Sequence, residues 1–147
     1  MKAGLLSVAL ATLAVAGCGG SGPLSATQLR SSATHVCTQA NQHSDHIATP
    51  ASASGGLSFL QSGIAVLRPE LGSLRTLKAP TQLSQLYAVS LTTFSRELSD
   101  LERTAHGLAS GSDPVTAMKT LEARLGPLET REDRAWRQLQ IPACLDR

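Results

Sequence analysis

Aromatic side chains are scarce in this chain. Its 147 residues include one Trp, one Tyr and two Phe, namely Trp136, Tyr87, Phe59 and Phe94. Four rings cannot tile a base-stacking surface for single-stranded nucleic acid, and they are few for a carbohydrate site. Charge of one sign is lacking too. The formal net charge is +2, which argues against nucleic acid or a strongly acidic partner. No glutamate has a histidine three residues later, so the Glu-x-x-His pairs of di-iron bundles are excluded. Cys-x-x-Cys-His, for covalent haem, is absent. So are a glycine-rich phosphate loop and a Gly-x-Ser-x-Gly nucleophile elbow. No segment alternates apolar and polar residues as a half-buried strand does. No catalytic residue, cofactor or metal is expected.

Long apolar runs are also missing, with one short exception at the start. Met1-Lys2 is followed by the uncharged stretch Ala3 to Ala16, rich in Leu, Ala and Val. At about 14 residues it falls short of the roughly 20 needed to cross a bilayer core. Its layout is that of a cleavable secretory signal. Small residues then lead directly into a cysteine. Val15-Ala16-Gly17-Cys18 resembles the bacterial lipobox. The resemblance implies a signal peptide over residues 1–17, cleavage after Gly17, and diacylglyceryl modification of the Cys18 thiol. Two or three acyl chains on one residue hold far more firmly than one. The expected location is therefore the extracytoplasmic face of the cell membrane. Residues 18–24, with Gly19-Gly20-Ser21-Gly22-Pro23, form a short flexible tether. Residues 25–147 are enough for one domain with a single core.

There are three cysteines: Cys18, Cys37 and Cys144. With Cys18 lipidated, the other two remain as an even pair in an oxidising compartment. A Cys37–Cys144 disulfide is the resulting expectation, tying the first helix to the last few residues.

Periodicity gives the rest of the fold. Ser25-Ala26-Thr27-Gln28 fits a capping box, with Leu24 and Leu29 flanking it as a hydrophobic staple. Helix one then shows Leu29, Ala33, Val36, Cys37, Ala40 and Ile47 on one face, ending at Thr49-Pro50. In helix two, Leu57, Leu60, Ile64, Leu67, Leu71 and Leu74 step by three and four, an a/d seam for helix packing. Pro69 lies inside it and predicts a kink or a break. Pro80 suits the first position of helix three, which carries Leu83, Tyr87, Leu91, Phe94, Leu98, Leu101, Ala105 and Leu108. Gly107 and Gly111 mark its stop. Asp113-Pro114 opens helix four as cap and first residue. Its face is Val115, Met118, Leu121, Leu125, Leu128, Ala135 and Leu139, with a bend expected at Gly126-Pro127. Glu132 breaks that pattern as either a rim position or a buried carboxylate with an arginine partner, and the rim is favoured since charged residues are seldom fully buried. Pro142 forces an extended C-terminal tail. Short loops between four long helices predict an all-α, up-down-up-down four-helix bundle.

The polar residues suggest little chemistry. His43 and His46 sit three apart near the end of helix one, with His35 two turns earlier. A closed metal site needs three or four ligands, and a polar helix end explains these residues better. Glu97/Asp100 and Glu129/Asp133 lie among Arg96, Arg103, Arg131, Arg134 and Arg137, the mixed signs of a solvated face. Arg131, Arg134 and Arg137 with Trp136 suggest a patch for lipid head groups. Glu132 and Asp133 dilute it, and Trp136 is expected to pack on the bundle.

The whole mature chain resembles small helical lipoproteins and secreted proteins of high-GC bacteria that have no assigned activity. The shared features are the lipobox, the early helix cysteine Cys37, the Leu77-to-Pro80 turn into a long helix, and the Leu139-to-Cys144 ending. Glycine often follows the leucine in such endings, whereas this chain has Gln140. The resemblance carries no activity over. The missing catalytic constellation, the stapled bundle and the lipid anchor together suggest a non-enzymatic, membrane-anchored bundle that binds another envelope protein. The alternative is a carrier of a small apolar ligand or metal within the bundle.

Overall fold

The computed structural model describes residues 22–145. The expected signal peptide, Cys18, the first part of the tether and Asp146-Arg147 lie outside the described residues. Four helices follow in order: α1 (Ala26–Ser44), α2 (Gly56–Thr76), α3 (Thr81–Ala109) and α4 (Pro114–Leu139). Two single 3-10 turns, Ala53–Gly55 and Pro142–Cys144, complete the chain, and there is no strand among the described residues. The fold is the expected all-α four-helix bundle.

Helix starts follow their local chemistry. Ser25 accepts from the Gln28 N–H at 3.2 Å while the Gln28 side chain accepts from the Ser25 N–H at 2.9 Å. These two bonds satisfy amides that the helix itself cannot. Asp113 caps α4 by accepting from the Thr116 N–H at 2.8 Å, with Pro114 as first residue. Pro80 is the cap of α3, not its first residue as expected. α1 stops at Ser44 rather than at Thr49-Pro50. It gives way to tight turns in which His46 and Ile47 donate to carbonyls three residues back.

The Thr116 side chain, and then its backbone N–H, hold the exposed Asp113 carboxyl below its ordinary pKa of 3.8. A depressed folded pKa means stabilisation that is complete at neutral pH and fades as the carboxyl protonates. Asp113→Ala is therefore expected to lower the thermal midpoint at pH 7. The gap from the parent should narrow as pH falls from 3.8 through the lower folded value. A gap unchanged across that window would refute the assignment.

Helix ends are equally specific. After α3, Ser112 donates to the Gly107 carbonyl at 3.0 Å and Gly111 to that of Leu108 at 3.1 Å. This pair of bonds is the Schellman closure, and Gly111 takes the left-handed φ of 90° it needs. After α4, Ile141 donates to Trp136 and Gln140 to Arg137, both at 3.1 Å. The left-handed residue there is Gln140, with φ 61° and ψ 46°. The tail is consequently not extended, as expected from Pro142. It reverses at Gln140 and forms one 3-10 turn. A side chain in the left-handed region costs about 1 kcal/mol or more, partly offset by the greater unfolded-state freedom of glycine. Gln140→Gly is expected to raise stability by about 0.5–1 kcal/mol in urea unfolding. A loss of stability would refute the strain argument.

Both internal prolines lie within continuous helices. Of the kink or break expected at Pro69, the break into two helices does not occur. A proline frees the carbonyl four residues earlier, here those of Ala65 and Ala123. Both residues, and both prolines, are exposed, so water can satisfy the freed groups.

The core follows the predicted seams with a few departures. Leu29, Ala33, Cys37, Leu60, Ile64, Leu71, Leu74, Tyr87, Phe94, Leu98, Leu121, Ala135, Trp136 and Leu139 are buried. Val115 is 64% exposed; it sits in the first turn of α4, at the bundle's end, and is not the core residue expected. Glu132 is a second correction. It is 2% exposed because its Oε1 accepts from the Trp136 Nε1 at 2.7 Å, so it belongs to the core and not the rim. Ser90 and Thr93 are also buried, their hydroxyls donating to the carbonyls of Leu86 and Val89 one turn back. α3 makes its main packing with α4 and α2, while α1 packs against α2 and the C-terminal turn.

Candidate functional site

The residues singled out by sequence fall into three regions. The first is the C-terminal staple. Cys37 and Cys144 are disulfide-bonded, with Cα atoms 5.1 Å apart and a separation of 107 in sequence. Both are essentially inaccessible, so the bond is shielded from thiol attack. Two more bonds seal the tail onto α1. Arg30 Nε donates to the Leu139 carbonyl at 2.9 Å, and Asn41 Nδ2 donates to that of Ala143 at 3.0 Å.

The second region is a cleft of about 370 Å³ over α3, α4 and the tail. Leu67, Phe94, Leu101, Leu125 and Leu145 give it apolar walls, and Glu97, Glu129, Glu132 and Asp133 line it with carboxyl groups. Of the expected ion pairs, Asp133–Arg137 borders this cleft, while Asp100, Arg103 and Arg124 line a separate depression with Pro127. Asp100 meets Arg103 at 2.6 Å and Arg124 at 3.8 Å, and Asp133 meets Arg137 at 3.0 Å. Arg68 and Glu102 join α2 to α3 at 2.7 Å. The exposed Arg68–Glu102 and Asp133–Arg137 pairs add little stability.

The third region is a groove of about 620 Å³ between α1 and α2. Val36, Ala40, Ile47, Ala65, Val66 and Pro69 form its apolar surface, with His43 and Glu70 also lining it. Its size is within the range of small-molecule sites, and it lies beside one of the two helix-internal prolines. His46 does not join His43 there; it lines a separate depression with Pro50 and Phe59. Among the described residues, no group of three or more His, Cys, Asp or Glu side chains is placed to hold a metal.

Trp136 is fully buried against Tyr87, with ring centroids 6.0 Å apart at 75°. Tyr87 donates to the Leu74 carbonyl at 2.7 Å, and burial pushes its phenol well above its ordinary pKa. Trp136 therefore contributes no ring to a lipid-facing patch, while Arg131, Arg134 and Arg137 remain exposed. No helix among the described residues is long and apolar enough to cross a membrane. The chain matches no family model, no curated protein and no solved structure.

Proposed function

We propose that this protein is a lipid-anchored, non-enzymatic helical module that binds another protein at the extracytoplasmic face of the cell membrane. The observation that carries the reading is the Cys37–Cys144 pairing. It leaves Cys18, directly after Val15-Ala16-Gly17, as the chain's remaining cysteine. A closed disulfide also suits an oxidising, extracytoplasmic compartment. A rigid bundle joined to its anchor by a few small residues supports a tethered interaction role, since tethering raises the effective concentration of a weak partner.

The groove beside Pro69 favours the second reading, a carrier of a small apolar ligand. Native mass spectrometry of protein purified from membranes separates the two. An N-terminal peptide carrying the diacylglyceryl mass on Cys18 supports the anchor, and an unmodified Cys18 overturns it. A small molecule bound at stoichiometric occupancy moves the carrier reading first. A ligand-free bundle that photo-crosslinks to one discrete envelope protein supports the interaction module; the absence of any discrete adduct overturns it.

A further inference from the structure

The ends of the bundle differ in charge. Backbone and side-chain bonds bring the start of α1, the end of α2, the start of α3 and the end of α4 together. The Leu24 N–H donates to the Lys78 carbonyl at 2.8 Å, Tyr87 donates to Leu74, and Arg30 donates to Leu139. Within about two turns of that end lie Arg30, Lys78, Arg134 and Arg137, while Arg75, in the last turn of α2, reaches away from it to donate to Ser95 at 2.9 Å. All but Arg30, which is half-buried, are exposed. Among the described residues there, the carboxylates are Asp133, already bound to Arg137 at 3.0 Å, and the buried Glu70 and Glu132. The first acid of α3 is Glu97, about 24 Å along the helix from Thr81, and the acid nearest α1 is Asp45, beyond its other end. At the opposite end the signs are mixed, with Asp100, Glu102, Asp113 and Glu122 among Arg103, Lys119 and Arg124.

This basic end is also where the tether arrives. Leu24 is six residue steps from Cys18, and an extended chain spans at most about 3.6 Å per step. Leu24 therefore lies within about 22 Å of an acylated Cys18. α3 alone is about 43 Å long, so the mixed-charge end can stand well clear of the surface. Electrostatic attraction to a lipid surface fades over a Debye length of about 8 Å, and a tether this short keeps the basic end sampling that layer.

We propose that this basic end is a second membrane-docking surface, which binds anionic phospholipid head groups and stands the bundle on the leaflet that holds Cys18. The inference rests on Cys18 acylation and adds an orientation to it. Partner-binding surfaces would then be presented by the α1–α2 and α3–α4 connections.

Lysine accessibility tests it. After removal of the signal, the only lysines are Lys78, at the basic end, and Lys119, towards the other. Processed protein purified from membranes is reconstituted into vesicles of phosphatidylcholine alone or with phosphatidylglycerol, and pulsed with an amine-acetylating reagent. Each basic residue near an anionic surface contributes about fivefold in affinity. The Lys78-to-Lys119 labelling ratio is expected to fall about fivefold or more with phosphatidylglycerol. High salt, or the double variant R134Q/R137Q, should restore it. An equal ratio on both vesicles overturns the proposal. The N-terminal peptide mass reads the anchor separately. If Cys18 proves unmodified, the same chain is mixed with the same vesicles. Protection of Lys78 there supports head-group binding without the anchor, and its absence overturns the surface.

Discussion

Replacing both bridged cysteines, C37S/C144S, is expected to destabilise the protein by about 4 kcal/mol. Cross-linking positions 107 apart removes a long loop's freedom from the unfolded chain, worth up to about 4.7 kcal/mol for a loop near 100 residues. Strain and residual unfolded structure usually reduce that figure. The consequence is local as well as global. The buried residues of α1 are Leu29, Ala33, Cys37 and Ala40, and two of them are alanines that bury little apolar area. Besides its packing on α2, α1 is attached through the Arg30 and Asn41 bonds to the tail, and the tail is itself held by Cys144. Without the bridge, α1 and the tail lose each other together. Urea unfolding should show a lower midpoint, and hydrogen exchange should quicken first over residues 30–44 and 140–145. A midpoint within error of the parent, or exchange that quickens evenly over all four helices, would show that the bridge does not hold α1.

That local weakness was legible in the sequence, and its remedy was too. The capping box at Ser25, the Asp113-Pro114 start and the leucine seams are short-range signals, each set by neighbours three or four residues away. The structure reproduces them nearly position by position. Cysteine arithmetic reached across the chain because only one even pair remained. What sequence reading missed needs tertiary knowledge. Glu132 looks like a rim residue until the indole one turn later is seen to hold it inside. Val115 fits the apolar face of α4, but the face extends past the end of the bundle. Gln140 takes the left-handed turn usually given to glycine because its neighbours over-determine it. Ile141 and Leu139 are both fully buried, and the disulfide fixes where the chain must go next. The basic end was only partly legible. Arg134 and Arg137 stand out as a cluster, but Arg30 and Lys78 join them only because antiparallel packing of the helices gathers the four. The clefts are likewise products of how α1 and the tail settle on the α2–α3–α4 layer.

Trp136→Ala is expected to be the most damaging single substitution on α4, at about 4–5 kcal/mol. Truncating a buried large aromatic usually costs about 3–5 kcal/mol through lost transfer energy and the cavity left behind. Trp136 is fully buried, and its edge-to-face contact with Tyr87 adds about 0.5–1.5 kcal/mol beyond area. It also supplies the 2.7 Å bond to the Glu132 carboxyl group. Trp136→Phe isolates that last contribution, because it keeps a ring in the site and removes the donor. The loss of a donor to a buried carboxyl group is worth about 1.5–3 kcal/mol, so Trp136→Phe should cost about 2–3 kcal/mol in all. A double-mutant cycle with Glu132→Met gives the sharper reading. Groups in direct contact couple by about 0.5–3 kcal/mol, and exchanging both polar partners for apolar ones is often close to neutral. The double variant is therefore expected to be more stable than the two single losses would predict, by about 1–2 kcal/mol. A coupling near zero would mean that the indole bond is not what keeps Glu132 inside.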